Sequence, residues 1–339
     1  MSVATTRIFL AGDLGGTKTS LRLFAHTGGR DQIVHEATLP SRDFGDFTSL
    51  VQQFLRGAPH QEGGALQRAC FAVAGPVTHL GARQTSQITN LGWMLDSQAI
   101  ADALQLEHVA LINDFVAVGY GVTEVTPSAL AVLQPGQIEA TAPCMVLGAG
   151  TGLGVCQIVT DASGRRNVIA SEGGHVDFAP NSELEIEFLR FMWRTFEHVS
   201  YDRILSGSGL VALFTFLAER AQRRHDGGLQ LMFDEKAGPA AISSAYDGEP
   251  LAREAVDWFV RLYGAQAGNL ALINLAYGGV YIAGGIAPKL LARIQAGGFM
   301  REFCNKGRMR TLLERMRVSV VLDTHVGLLG AQAQARRHI

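Results

Sequence analysis

The residues able to do chemistry sit in a few short stretches. An apolar run, V109-A-L-I112, stops abruptly at an amide and a carboxylate, Asn113 and Asp114. Ligands of α/β proteins collect beyond the carboxyl ends of strands, and a carboxylate opening the next helix stays ionised beside the positive helix N-terminus. The same pattern suits a plain helix cap, and the stretch alone does not choose. In H198-V-S-Y-D-R-I-L-S-G-S-G209, Asp202 precedes a Ser/Gly turn that starts a helix, a place for an anion or for a cap. Glu172 and His175 stand three apart in S171-E-G-G-H-V-D-F178. Helical spacing would make them a metal pair, but two intervening glycines argue against a helix and no cysteine cluster accompanies them. A polar pocket wall and a surface loop both remain open.

Two glycine-rich turns carry a second kind of chemistry. In I8-F-L-A-G-D-L-G-G-T-K-T-S-L-R-L-F24 and C144-M-V-L-G-A-G-T-G-L-G-V-C-Q-I-V159, an apolar strand enters a Gly/Thr turn and leaves as a second apolar strand. Neither fits a common nucleotide motif. Thr17 stands where GxxxxGK[ST] demands glycine, and Leu153 stands where GxGxxG demands one. What remains is a strand–turn–strand device whose backbone N–H groups can approach phosphate oxygens closely. Thr17 and Thr151 add hydroxyls, and Asp13 could hold a hydrated Mg²⁺. Two such hairpins suggest a duplicated module, one copy per domain.

The positioning elements follow from pattern. R68-A-C-F-A-V-A-G-P-V77 reads as a buried strand and turn, D96–L104 as a capped helix, and V109–I112 as a strand. S182-E-L-E185 is a capping box opening a helix to about Phe196, and another helix runs from about Ser208 to Ala218. G227–G238, closed by Pro239, reads as an exposed excursion. E249–A276 is a long helix leading into the strand V280–A283 and the turn at Gly284-Gly285, and G327–R337 is a helical tail. Strands alternating with helices mean an α/β protein, with mixed sheets because of the hairpins.

Composition narrows the partners. The 339 residues carry a net charge of −2, so no basic field points to nucleic acid or a membrane surface. No apolar run approaches membrane-spanning length, and M1–R7 lacks a signal-peptide core. Four scattered cysteines, Cys70, Cys144, Cys156 and Cys304, suggest a reducing, cytoplasmic setting.

Taken in order, G12-D-L-G-G-T17, A74-G-P-V77, N90-L-G-W93, I112-N-D-F115, G148–V155, E172-G-G-H-V-D-F-A-P-N-S182, V199-S-Y-D-R-I-L-S-G207 and G279-V-Y-I-A-G-G-I286 resemble the bacterial hexokinase-type glucokinases of the actin-like ATPase superfamily. The resemblance covers nearly the whole chain. It implies a two-domain, ribonuclease H-like α/β fold with mixed sheets and an interdomain cleft. The small domain would be residues 1–124 plus 323–339, the large one 125–322. It implies transfer of the γ-phosphate of MgATP to the C6 hydroxyl of glucose. Asp114 would be the catalytic base, with Asn113, Glu172, His175 and Asp202 on the sugar. ATP would be held by Gly12, Asp13, Gly15, Gly16, Thr17, Gly150, Thr151, Gly152, Gly284 and Gly285, with Asp13 reaching the metal through water.

Two departures stand out. Asp202 replaces the family's usual Glu, and His325-Val326 stands where Asn-Pro is common. The first bears on selection at the sugar's C2; the second is expected to have a local effect. A kinase for another hexose or an amino sugar is the alternative. ROK-type kinases add a cysteine-rich zinc motif absent here, so His175 is assigned to sugar. A sugar-sensing regulator would need a DNA-binding domain ahead of the core, and only seven residues precede Ile8. A chaperone-type ATPase would have no use for the polyol set. A homodimer is common among similar proteins.

Overall fold

The structure is a computed structural model that describes residues 6–59, 64–88, 90–221 and 238–337. The chain divides into two units, Met1–Thr126 with His325–Ile339, and Pro127–Thr324.

In the first unit, β1 (Arg7–Leu14) turns through Gly15–Thr17 into β2 (Lys18–Thr27), which is followed by β3 (Arg30–Pro40). Helix α1 (Phe47–Gly57) is capped by Asp46 and precedes β4 (Leu66–Val73). Three short strands, β5 (Thr78–Leu80), β6 (Arg83–Ile88) and β7 (Trp93–Asp96), form a separate antiparallel sheet. Then come α2 (Ser97–Leu104), capped by Asp96, β8 (His108–Asn113) and α3 (Asp114–Val122). The main sheet has the order β3-β2-β1-β4-β8, with β1–β2–β3 antiparallel and β1, β4 and β8 parallel.

Alternation along β1 explains how both faces are covered. Leu10 joins Leu21, Phe71 and Leu111 on the side of Phe47, Leu50 and Phe54 from α1. Phe9 and Ala11 join Phe24, Cys70 and Ala110 against Ala117 of α3 and Leu328, Ala331 and Ala335 of the C-terminal helix, Val326–Arg336. That helix meets α3 backbone to backbone. A Cβ at Gly330 would lie 1.8 Å from the Ala117 carbonyl oxygen, and one at Gly121 would lie 1.9 Å from that of Val326. Only glycine permits this approach, and it brings the helix start at His325 to the face that α3 occupies.

The second unit repeats the sheet plan. β10 (Cys144–Ala149) turns into β11 (Leu153–Thr160) and then β12 (Arg166–Ser171), while β13 (Gly279–Ala283) and β14 (Val318–Val321) run parallel to β10. The order is β12-β11-β10-β13-β14, extended by antiparallel β9 (Leu130–Gln134). Both sheets thus place an antiparallel triplet beside two parallel strands, with the glycine turn closing the first hairpin.

Among the described residues, the helices of this unit are α4 (Glu183–Met192), α5 (Tyr201–Ile204), α6 (Gly207–Arg220), α7 (Gly238–Ser244), α8 (Pro250–Asn274), α9 (Leu291–Gln295), α10 (Gly298–Cys304) and α11 (Arg310–Arg315). Pro250 at the first helical position, with Glu249 as cap, starts the long α8 as expected. Its Trp258, Phe259 and Tyr263 enter a core with Phe188, Phe214 and Phe216. Helix α4 stops at Met192, four residues short of Phe196, because Trp193 to Phe196 close back onto Leu189, Phe191 and Met192 as turns. Of the expected excursion, residues 227–237 lie outside the described residues, and Gly238 and Pro239 already belong to α7. Among the described residues, no helix is long and apolar enough to cross a membrane, and no cluster of three or more His, Cys, Asp or Glu could hold a metal by itself. The four cysteines are buried and form no disulfide.

Candidate active site

In the first unit the chemistry gathers at the carboxyl ends of β1 and β8. β8 ends at Asn113, and the helix cap belongs to Asn113 rather than Asp114: its Oδ1 accepts the N–H groups of Phe115 at 2.9 Å and Val116 at 3.2 Å. Its Nδ2 donates to the Gly75 carbonyl at 3.3 Å, tying the strand end to the Gly75-Pro76 turn. Asp114 is therefore released from capping and becomes the first helical residue, where α3's N-terminus favours its charge. Its Oδ1 accepts the Phe115 N–H at 2.8 Å.

Asp13 lies one residue before the end of β1 and within electrostatic reach of Asp114 and His325. Burial first, and then the Asp114 carboxylate, push its pKa up to about 6, while His325 pulls it back. A Cβ built on Gly327 would sit 3.0 Å from an Asp13 carboxylate oxygen, so glycine in the first turn of the C-terminal helix makes room for that carboxylate. His325, a departure with only a local effect expected from sequence, comes within electrostatic reach of Asp13 in the fold. Gly12, by contrast, is inside β1, where a Cβ would lie 2.7 Å from Phe71 and 2.8 Å from Leu21. Packing accounts for that glycine.

The turn itself, Gly15-Gly16-Thr17, is closed by Gly15 N–H to the Lys18 carbonyl at 3.0 Å. Ser41 braces it from β3's end. Its hydroxyl donates to the Gly15 carbonyl at 2.9 Å, its N–H donates to the Thr17 carbonyl at 3.0 Å, and its Oγ lies 2.9 Å from the Thr19 hydroxyl. Gly16 rests on the Asn90 side chain, 3.3 Å from where its Cβ would be. Thr17 and Lys18 are exposed.

In the second unit the residues converge on Leu153, the first residue after the second turn. Gly150 N–H closes that turn onto the Gly152 carbonyl at 2.8 Å, and Gly207 N–H donates to the Gly150 carbonyl at 3.0 Å. Asp202, in α5, accepts the Leu153 N–H at 2.7 Å, and a Cβ at Gly152 would lie 2.3 Å from the same carboxylate oxygen. A Cβ at Gly174 would lie 2.0 Å from the Leu153 carbonyl oxygen. So Asp202 and the E172-G-G-H175 loop contact the two backbone groups of one residue, Leu153.

That loop is a single 3-10 turn, Gly173–His175, with Ser171 Oγ accepting the Gly173 N–H at 3.0 Å. Glu172 and His175 approach to 3.8 Å with side chains 87% and 59% exposed, so both remain available to a ligand. On the far side, Gly284 adopts φ +79°, and a Cβ there would lie 2.6 Å from the Ala149 carbonyl oxygen. Ile286 N–H donates to that oxygen at 3.2 Å, and the Ala149 N–H donates to the hydroxyl oxygen of buried Tyr263 at 3.0 Å. Neither Tyr263 nor Ser41 could be singled out from the sequence, because each acts through a partner more than twenty residues away.

Each half is thus a glycine turn at a strand end, braced by side chains and flanked by acceptors suited to hydroxyls. Comparison with known proteins matches this pattern. The Glucokinase family model matches residues 10–338. A glucokinase of Nostoc sp. is 40% identical, the alignment covering 97% of this chain and 99% of the relative. The crystal structure of a glucokinase from an Antarctic psychrotroph superposes with a TM-score of 0.82 at 28% identity, covering 97% of this chain and 98% of that one. A ROK family glucokinase from Streptomyces griseus, solved in complex with glucose and AMPPNP, has a TM-score of 0.63 at 20% identity over 98% of this chain and all of that one, a likeness of fold. The mixed sheets, in the same order in both units, are those of the actin-like ATPase fold. With the family's signature spanning both glycine turns and every strand that carries them, the chain belongs to the glucokinase family.

Proposed function

We propose that the chain phosphorylates glucose at its C6 hydroxyl, using MgATP as donor. The observation that carries this reading is Asp114: a carboxylate at the carboxyl end of β8, relieved of capping by Asn113, in a chain matched to the family from residue 10 to 338. Asp114 would orient O6 and accept its proton. Phosphoryl transfer passes through a loose transition state, so in-line positioning and charge neutralisation matter more than a strong base. The N–H groups of the turns Gly15–Thr17 and Gly150–Gly152, with the Thr17 and Thr151 hydroxyls, would supply donors for the phosphates. The Gly284-Gly285 turn would floor the adenosine. Gly12 would serve them indirectly, through the packing of β1.

Glu172 and His175 suit sugar hydroxyls, being exposed acceptors on a rigid turn. Asn113 would reach the sugar only through what its cap and its bond to Gly75 leave over. A site built to pair each hydroxyl rejects analogues lacking one by roughly 10⁴-fold.

Mg²⁺ fits the residues present. Burial and Asp114 raise Asp13's pKa, and a divalent cation would relieve that repulsion. With no three-ligand cluster among the described residues, the ion would be held by Asp13 through water together with the donor's phosphates. When bound, it would neutralise charge on the transferring group. Four buried cysteines without a disulfide support a reducing, cytoplasmic compartment, and the family likeness supports a homodimer.

A coupled assay for ADP over a panel of hexoses tests the reading. Glucose should be the best acceptor, and Asp114→Ala should lower turnover by roughly 10³-fold with the circular dichroism spectrum kept. Near-normal turnover in that variant would remove Asp114 as base, and a stronger response to another hexose or an amino sugar would favour the alternative substrate. Asp202 motivates that arm, being one methylene shorter than the family's Glu and engaged with Leu153.

A further inference from the structure

The stretch A179-P-N-S182, a few residues beyond His175, has no part in the chemistry above, yet it walls a cavity of about 420 Å³ within the second unit. That volume lies in the range of small-molecule sites. The cavity is bounded by the α4 start, by Tyr201, by the α8 face from Arg261 to Asn269, and by the end of α10 with Asn305 and Lys306.

Two cations line it, and neither the Arg261 guanidinium nor the Lys306 ammonium has a hydrogen-bond or ion-pair partner among the described residues. The Lys306 stem is laid across α8: a Cβ at Gly268 would come within 2.8 Å of its Cε. Burial lowers the pKa of Lys306, while Glu302 and Glu185 pull it back up. Those two acids also line the cavity, but each already has local work. Glu185 accepts the Asn181 N–H at 2.5 Å, and Glu302 accepts from Arg301 at 3.3 Å and from Asn305 Nδ2 at 3.0 Å. Tyr201 and Asn269, 3.4 Å apart, and Ser182 add neutral polar groups.

We propose that this cavity is a second binding site, taking a small phosphate ester that carries hydroxyl groups. Two cations whose N–H donors are not taken up match a doubly charged oxyanion better than a single carboxylate. The remaining lone pairs of Glu185 and Glu302 accept from hydroxyls and repel a more highly charged ligand such as a nucleoside triphosphate.

An occupant would bear on the sugar residues through the chain itself. Tyr201 adjoins Asp202, its N–H donates to the Val176 carbonyl at 3.1 Å, and Phe178 N–H donates to the Val199 carbonyl at 2.9 Å. This coupling rests on the roles proposed for His175 and Asp202; the binding does not.

Calorimetry with glycerol 3-phosphate, on protein saturated with glucose and AMPPNP, tests the site. Binding to the parent protein is expected, with neutral glycerol silent and inorganic phosphate weaker. Arg261→Met and Lys306→Met keep the apolar stems and should each weaken glycerol 3-phosphate by about tenfold or more, the loss of one charge-assisted contact. Both variants should keep their turnover without the probe, which verifies folding. No binding, or equal binding in all three proteins, overturns the site. In turnover assays, glycerol 3-phosphate should shift the glucose KM of the parent and leave both variants unmoved. Binding without that shift overturns the coupling alone.

Discussion

The two glycine hairpins share a backbone plan and differ in what holds them. The first is braced by an uncharged serine, Ser41, and rests on the flexible amide of Asn90. The second is held by the Asp202 carboxylate, by the Gly174 backbone contact, and by Gly284 packed on Ala149. The charges are placed differently as well. Asp13 sits in the strand feeding the first turn, facing another carboxylate, whereas Asp202 receives an N–H from the second. One sheet topology, used twice, therefore supplies one turn that can yield and is charged next door, and one that is locked. The locked turn is the one that the loop from Glu172 to His175 also packs against, so a change in either should be felt by both.

Breaking the lock should give the largest effect. Gly174→Ala forces a Cβ into the Leu153 carbonyl, and since backbone must move, turnover should fall by roughly 10²-fold or more, as misplacement by about an ångström does. Gly16→Ala meets only the Asn90 side chain, at 3.3 Å, and should cost far less. Equal losses in the two variants, compared by steady-state kinetics, would erase the distinction between the hairpins.

Asp202 separates bracing from sugar contact. Asp202→Asn keeps an oxygen for the Leu153 N–H, so the ATP KM should hold within a few-fold, while Asp202→Ala should raise it by about tenfold, the worth of a charge-assisted hydrogen bond. Should Asn instead raise only the glucose KM, the carboxylate's charge is spent on the sugar. Asp202→Glu, restoring the family's length, should tighten selection against C2-modified sugars.

The charge beside the first turn has a pH signature. Asp13 holds its proton up to about pH 6 in the folded protein, above the ordinary carboxylate range. Between that range and about pH 6 the folded state binds more protons than the unfolded one, so this group's stabilisation is present at low pH and is lost as pH rises. Asp13→Asn should therefore melt higher than the parent at pH 7–8 without ligand, by on the order of 1–3 kcal/mol, with the gap closing toward pH 4. A constant gap across that range, in thermal melts, would remove the carboxylate repulsion as its cause.

The smallest effect is expected at Ser41→Ala. Losing its hydrogen bonds to Gly15 and Thr19 should lower stability by about 1 kcal/mol and raise the ATP KM a few-fold. A loss matching that of Asp202→Ala would make the two braces equivalent.

Much of the fold was legible in local pattern. Apolar runs entering and leaving Gly/Thr turns marked both hairpins, and capping residues marked the starts of α2 and α4, because these signals act between residues a few positions apart. Strands β3, β9, β12 and β14 were not marked. They are edge strands or short runs, and their identity is settled by the partner ladder rather than by their own residues. The site divides along the same line. The residue types at Asn113, Asp114, Glu172, His175 and Asp202 declare polar work at strand ends and turns, and their order along the chain identifies the family.

Which of Asn113 and Asp114 caps α3, that Asp202 reaches back across 49 residues to Leu153, and that His325 comes beside Asp13 were decided only by tertiary structure. Composition and spacing determine which hydrogen bonds and charges a short segment can offer. Packing determines which distant groups take them up, because strand pairing and glycine-permitted backbone contacts bring together segments that share no local signal.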